Sequence, residues 1–293
     1  MKRLIILALA VIMLVTTGCS RNARDTAGLP TAAVSPGTMK VHFIDVGQAD
    51  AILVQVGQQS MLVDAGNNDD GEAVVNYLKQ LGIKKLAVIM GTHPHEDHIG
   101  GLDDVIKAFE VEKIYLPKVN HNTKTYRDVL LAVKEKKLKA IAARGGQSFS
   151  LGEARVDILA PNSDSYQELN EYSIVCKVTF GASRFLLTGD AEKVSESEML
   201  QNNYDLQADV LKIAHHGSSS STGKKFLKAV APQMAVISVG SGNDYGHPHR
   251  ETLQKLASAG IKVYRTDLMG TIVMTTDGQK IEAATQRTAA AGK

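Results

Sequence analysis

The chain has 293 residues, 44% of them apolar and 22% charged, a composition that excludes wholesale disorder and allows one large domain or two small ones. Two cysteines exclude a disulfide-built scaffold. Its 33 Lys and Arg against 31 Asp and Glu leave a formal charge of +2, far from the basic footprint of a protein held on nucleic acid by bulk electrostatics.

Residues 1–18 open with Lys2 and Arg3 and continue in an apolar run of 12 residues, Leu4 to Val15. The run falls short of the ~20 residues that cross a bilayer, but it has the length of a signal-peptide core. Thr16-Thr17-Gly18-Cys19 then resembles the bacterial lipoprotein cleavage box, in which small residues precede a cysteine that is diacylated and becomes the new N-terminus. Thr16 departs from that box, which prefers a large aliphatic residue there. The resemblance implies lipidation at Cys19, export, and anchoring on the bacterial cell surface, because two acyl chains hold a protein stably on a membrane. Ordinary secretion and an uncleaved anchor are the alternatives. Residues 1–18 contain no acidic side chain, so Lys2 and Arg3 carry the whole charge excess and the remainder is formally neutral. Residues 19–38 are rich in Ala, Thr, Ser, Gly and Pro and read as a flexible tether.

The folded domain is expected over residues 39–284. Lys40–Val46, Ala51–Val56 and Ser60–Asp64 read as strands separated by glycine-containing turns, which favours antiparallel neighbours. Ala73, Val74, Tyr77, Leu78 and Leu81 recur at helical spacing, with Gly82 as a stop. Leu86–Met90 is a short buried strand that runs into a His-rich segment. Beyond it, helices are predicted at Leu102–Phe109, Tyr126–Lys136, Val194–Gln201, Gly223–Val230 and Glu251–Ala259. Strands are predicted at Lys113–Leu116, Ala154–Leu159, Ser173–Phe180, Arg184–Thr188, Asp209–Ala214, Ala235–Val239, Lys262–Tyr264 and Thr271–Thr275. The pattern is too strand-rich for a simple doubly wound sheet and fits an α/β fold with helices packed outside two sheets. No break in composition and no fixed-period repeat divides 39–284, so a single domain is expected. Residues 285–293 read as a frayed tail.

Seven of the nine histidines lie in three short segments, Thr92–Gly101, His215–Ser218 and Gly246–His249, each following a predicted strand. That places candidate metal ligands together at one rim of the fold. The first segment packs His93, His95, Asp97 and His98 into six residues. In an extended loop His93, His95 and Asp97 share a side, and a turn at Asp97–His98 divides the set between two ions. Imidazole and carboxylate donors suit zinc, iron or manganese.

His93-x-His95-x-Asp97-His98 resembles the central signature of the metallo-β-lactamase superfamily, whose fold is an αββα sandwich with one or two metals at its rim. The stretches from Phe43 through Asp45 and Gln48 to Asp50, Leu62-Val63-Asp64-Ala65-Gly66, Leu187-Thr188-Gly189-Asp190 and His215-His216-Gly217-Ser218 are similar to the metallohydrolase domain of ComEC-type DNA-uptake proteins. The resemblance runs from about Met39 to about Ala283. It implies that His93 and His95 hold a first divalent ion, that Asp97 and His98 hold a second, and that Asp190 bridges them. It places the last second-site ligand at the end of a later strand, where His247 fits. His215 and His216 then contact substrate phosphate or protonate the leaving group; the reverse assignment, with the pair supplying the ligand, stays open. Asp97, His215 and His216 are the candidate catalytic side chains. Asp64 and Asp45 are expected to orient ligands from behind.

Many members of the superfamily carry a third first-site histidine about twenty residues before the bridging aspartate. Here Asn170 stands there, close to Ser173. An amide oxygen is a weaker and harder donor than imidazole, so the first site is expected to bind zinc less tightly and to favour manganese. Other residues read as structural. Cys176 alternates with Ile174, Val178 and Phe180 as a core thiol, and His42 alternates outward from Val41 and Phe43. His121 sits in a polar loop, and Lys134–Lys139 reads as a solvated helix end.

The resemblance implies metal-dependent phosphodiester hydrolysis with one or two Zn or Mn ions and DNA as substrate. Two rivals are a surface phosphodiesterase acting on wall or lipid phosphodiesters, and a metal-poor binding or scaffold lipoprotein. No protein partner is suggested; the membrane is reached through the N-terminal lipid.

Overall fold

A computed structural model describes residue 35 and residues 37–288; the predicted signal peptide, Cys19 and most of the tether lie outside the described residues. The chain builds one sheet, then a second, then returns to the first. β1 (Met39–Phe43), β2 (Ile52–Val56) and β3 (Gln59–Val63) form an antiparallel meander, as their alternation and intervening glycines predict. α1 (Gly71–Gln80) crosses over so that β4 (Lys85–Met90) lies parallel to β3. β4 runs through the single-turn α2 (Glu96–Ile99) into α3 (Leu102–Ala108), then β5 (Glu110–Pro117). α4 (Lys124–Glu135) leads to β6 (Ala140–Ala143), again parallel.

The second sheet begins antiparallel with β7 (Ser148–Leu151), β8 (Ala154–Ala160), β9 (Val175–Phe180) and β10 (Ser183–Leu187). It turns parallel through α5 (Lys193–Gln201), β11 (Val210–Lys212), α6 (Lys224–Val230), β12 (Met234–Ile237), α7 (Arg250–Ser258) and β13 (Lys262–Arg265). The single-turn α8 (Thr266–Met269) returns the chain to the first sheet, where β14 (Ile272–Thr276) pairs with β1 and β15 (Ile281–Thr285) forms the edge. The strand orders are β15-β14-β1-β2-β3-β4-β5-β6 and β13-β12-β11-β10-β9-β8-β7.

Period-two alternation sorts the strand residues into layers. Met39, Val41, Phe43, Val54 and Val63 face the other sheet and meet Val156, Val178 and Phe185 in the central apolar layer. Leu53, Leu62 and Ile89 point the opposite way and pack under α1 and α3 through Val74, Leu78 and Leu102. Leu186, Leu211 and Ala235 do the same on the second sheet, against Met199, Phe226 and Leu256 of the outer helices. Three apolar layers separate four layers of structure, which is the expected αββα sandwich in a single domain.

Three strands escape the sequence reading. β6 and β7 are four residues each, built from alanine or from serine alternating with Phe149 and Leu151, and carry little apolar signal. β15 is a half-exposed edge strand. It carries the ordered chain past the expected boundary: Thr285 pairs with Ile272, and the Gln286 and Arg287 N–H groups donate to Thr271 and Met269 carbonyls.

His42 does alternate away from Val41 and Phe43, but that face of β1 meets the α1 layer rather than solvent. The residue is fully buried, with Nδ1 2.8 Å from the Tyr77 hydroxyl. Burial lowers its pKa to about 4, a nearby Lys40 charge adds to the effect, and Gln55 opposes it. A depressed folded-state value means the unfolded chain takes up this proton first. The contribution of neutral His42 to stability is therefore complete above pH 6.5 and is lost as pH falls toward 4, by about 3 kcal/mol. Urea midpoints of wild type and His42→Gln, measured at pH 7 and pH 4.5, are expected to show the smaller acid loss in the variant.

Candidate metal centre

The chemistry-bearing residues sit where the C-terminal ends of the parallel strands from both sheets meet. Asp64 follows β3, His93 to His98 follow β4, Asp190 follows β10, and His215 and His216 follow β11. His247 lies on the loop after β12. Main-chain bonds lock the β3 and β4 loops together: the Ala65 N–H donates to His98 O at 2.8 Å, and the Asp64 N–H to Met90 O at 2.9 Å. Asp64 adopts φ +58°, a left-handed conformation that Asp tolerates better than most residues. Gly100 lets the loops touch, since a Cβ there would lie 2.2 Å from the Asn67 carbonyl carbon. Because that neighbour is backbone and cannot step aside, Gly100→Ala is expected to cost about 1–3 kcal/mol and to lower the melting temperature of the metal-free protein.

The His93–His98 segment divides into two halves, but through the helical turn of α2 rather than an extended loop. His93 Nε2 lies 3.0 Å from His95 Nδ1, while the His93 Nδ1 side is held by Thr92 Oγ1 at 3.1 Å and Ser173 Oγ at 3.4 Å. Asp97 and His98 turn toward the second sheet. Asp97 Oδ2 lies 3.1 Å from His216 Nε2, and His98 Nε2 lies 3.2 Å from Asp190 Oδ1. Ligand atoms of Asp97, His98, Asp190 and His216 all fall within 4.8 Å of one another. His98 Nε2, Asp190 Oδ1 and Asn170 Oδ1 are buried without a hydrogen-bond partner. Convergent imidazole and carboxylate donors with orphaned buried lone pairs fit a divalent cation.

Residues behind the cluster fix its orientation. Asp64 Oδ2 lies 2.8 Å from His98 Nδ1 and its carboxylate accepts from the Thr92 N–H and Oγ1 at 2.8 and 2.7 Å. The Asp190 N–H donates to Ser173 Oγ at 3.1 Å. His216 Nδ1 is 3.0 Å from Ser238 O, which aims Nε2 at the cluster. His215 Nδ1 is 2.8 Å from Glu192 Oε1, while its Nε2 is 3.8 Å from Asp190 Oδ2. Asn170 Nδ2 donates to the same Glu192 oxygen at 3.3 Å.

Electrostatics follow from these contacts. Burial opposes a charged His98, but Asp190, Asp97 and Asp64 outweigh it and hold the imidazole well above its ordinary pKa. Burial works against ionised Asp97 and Asp190, yet His98 and His216 keep both carboxyls low. Burial lowers His93 and His95. His215 is pulled down by burial but raised overall by its Glu192 bond, and that same bond holds Glu192 low.

Two of the candidate residues stand apart from the cluster. His247 lies outside the four-residue group; its Nδ1 is 3.4 Å from Gln48 Nε2, and its ring is 5.4 Å from His215. It stands at the rim because its loop continues past the end of β12, whereas His216 follows β11 directly and reaches inward. Asp45 does not support a ligand: its loop turns the carboxylate outward to Arg287 at 2.7 Å. Asp50, at the other end of that loop, takes the inner position. It lies 3.9 Å from His98 Nδ1 and 3.7 Å from His216 Nδ1, and is paired at 2.8 Å with the fully buried Lys212. Neither Asp50, Lys212 nor Glu192 was assigned a role from sequence; a lysine inside the apolar run of β11 was the available signal. Cys176 is a core thiol, its pKa pushed up to about 12 by burial. His121 bonds Thr123 at the start of α4.

A four-layer fold with a buried His/Asp cluster at the meeting of its strand ends defines a metallohydrolase. Residues 44–241 match the model of the metallo-β-lactamase superfamily, and the chain belongs to that superfamily. Among curated proteins it is 33% identical over 251 residues to ComE operon protein 3 of Bacillus subtilis (strain 168), covering 80% of this chain and 32% of that protein. It is 28% identical over 260 residues to Recombination protein 2 of Haemophilus influenzae, covering 87% and 31%. It is 28% identical over 243 residues to Competence protein ComA of Neisseria gonorrhoeae, covering 82% and 33%. The chain thus spans about a third of the length of these relatives. Among solved structures, the metallo-β-lactamase fold protein YhfI from Bacillus subtilis covers 82% of this chain and 99% of its own at TM-score 0.55 and 17% identity, a likeness of fold.

Proposed function

We propose that this protein is a metal-dependent phosphodiesterase that cleaves DNA outside the cytoplasm. The observation that carries the reading is the opening above the cluster. A pocket of about 290 Å³ is lined by His95, Asp97, Asp190, His215, His216 and His247. A phosphodiester is small enough to enter it and anionic enough to be held by it. DNA is favoured because two relatives carry names that refer to recombination and to competence.

His93 and His95 would hold one divalent ion, and Asp97, His98 and His216 a second, with Asp190 between them. His216 replaces His247 in that role because its Nε2 already faces Asp97 and Asp190. Zinc or manganese bound there supplies Lewis-acid charge for the phosphate oxygens and lowers the pKa of water. Asn170, with its buried unpartnered Oδ1, offers an oxygen donor to the first position and favours manganese there. His215, oriented through Nδ1 by Glu192, presents Nε2 to the pocket, where it can donate a proton to the leaving oxygen. His247 and Tyr245 line the rim where the substrate enters. In the same reading residues 1–18 direct export and Cys19 carries the membrane anchor.

The chain without residues 1–38 is to be offered DNA with manganese or zinc. Cleavage is expected, and is expected to disappear in His95→Ala. Cleavage at the wild-type rate in that variant would overturn the reading.

A further inference from the structure

A second cavity, larger than the metal pocket, lies between α6 and α7. It measures about 940 Å³. Lys224 and Lys228 of α6 and Lys255 of α7 stand on its walls, and Leu227, Pro232 and Ile261 supply apolar surface. Lys224 and Lys228 are exposed, as are the adjacent Lys193 and Lys225. Among the described residues, none of these four has a carboxylate within 4.0 Å. Glu251 also lines the groove, and Glu196 lies near Lys255. Burial and the charges of Lys193 and Lys224 lower the pKa of Lys255, which places these lysines within one electrostatic neighbourhood.

One loop borders the groove and packs against the metal pocket. Ser219 lines the groove, and its N–H donates to His249 Nδ1 at 2.9 Å. Ser220 Oγ donates to Glu192 Oε1 at 2.7 Å and lies 3.3 Å from His215 Nδ1. Lys255 Nζ ties α7 to this loop by donating to Ser221 O and Thr222 O at 3.0 and 2.8 Å. In a chain that is formally neutral beyond its first 18 residues, a run of unmatched lysines leading away from the metal centre is a local attraction for a polyanion.

We propose that this lysine-walled groove holds the nucleic-acid strand flanking the scissile phosphate, with backbone phosphates on Lys224 and Lys228 and sugar and base edges against Leu227 and Ile261. The inference rests on the phosphodiester reading of the metal centre and deepens it: the substrate is a polymer, bound over several nucleotides.

The test uses the full metal-loaded chain and Lys224→Glu/Lys228→Glu. Three quantities are measured: kcat and KM on a 20-nucleotide single strand, the same constants on bis(p-nitrophenyl) phosphate, and binding of the labelled strand to chelated protein by fluorescence anisotropy. KM and Kd for the strand are expected to rise at least tenfold. The salt slope of binding is expected to shrink by about 1.4, at ~0.7 per lost phosphate contact. Constants for the small diester and the melting temperature are expected to hold. Strand binding within twofold of wild type would overturn the proposal. So would an equal loss on both substrates. If the wild type hydrolyses neither substrate, the phosphodiesterase reading fails while the anisotropy still judges the groove.

Discussion

Asp190→Ala is expected to lower phosphodiester hydrolysis by roughly 10³-fold or more, equivalent to about 4 kcal/mol of transition-state stabilisation, and to remove bound metal. Asp190 is 2% exposed, and its two oxygens face three histidines. Oδ1 lies 3.2 Å from His98 Nε2 and 3.8 Å from His216 Nε2, and Oδ2 lies 3.8 Å from His215 Nε2. Its charge is coupled to His93 as well as to His98 and His216, so its loss is expected to weaken the whole centre rather than one contact. Asp190→Glu is not expected to restore activity. The Ser173 bond to the Asp190 N–H fixes the backbone, and an added methylene drives the carboxylate into His98. Metal content by emission spectrometry, measured beside the rate, separates loss of metal from loss of catalysis.

The second large effect is on stability. Lys212→Met is expected to destabilise the protein by about 3–5 kcal/mol, because it strands a buried anion. For a domain of this size that corresponds to a fall of roughly 6–20 °C in melting temperature. Lys212 and Asp50 are 0% and 1% exposed, and the lysine also donates to Ile213 O at 3.0 Å. Asp50→Asn in the same chain neutralises the partner and is expected to recover part of the loss. The single variant is also expected to bind metal less tightly, since Asp50 lies beside the Nδ1 atoms of both His98 and His216.

The layered fold was legible because its strands alternate cleanly and its helices carry apolar residues at helical spacing. What escaped was short, alanine-rich or at an edge, as in β6, β7 and β15, where pairing rather than apolar pattern defines the strand. The candidate ligand types were legible in the density of His93, His95, Asp97 and His98, and the strand ends bring Asp190 and His216 to the same place. Sequence could not rank His216 against His247, since both follow strands; the choice depends on how far each loop travels before turning inward. Nor could it separate Asp45 from Asp50 within one loop, where five residues decide between a surface pair with Arg287 and a buried pair with Lys212. Glu192 gained its place only when folding brought Asn170, His215 and Ser220 around its carboxylate.

If this cluster binds divalent metal and uses it to cleave phosphodiesters, activity must follow metal content. The most direct measurement strips the full chain with chelator, removes the chelator, and titrates manganese or zinc while following cleavage of labelled DNA. The expected result is no cleavage in the stripped protein and full recovery at one to two equivalents of metal. Cleavage that persists unchanged after stripping, or none at any metal concentration although the metal is bound, would contradict it.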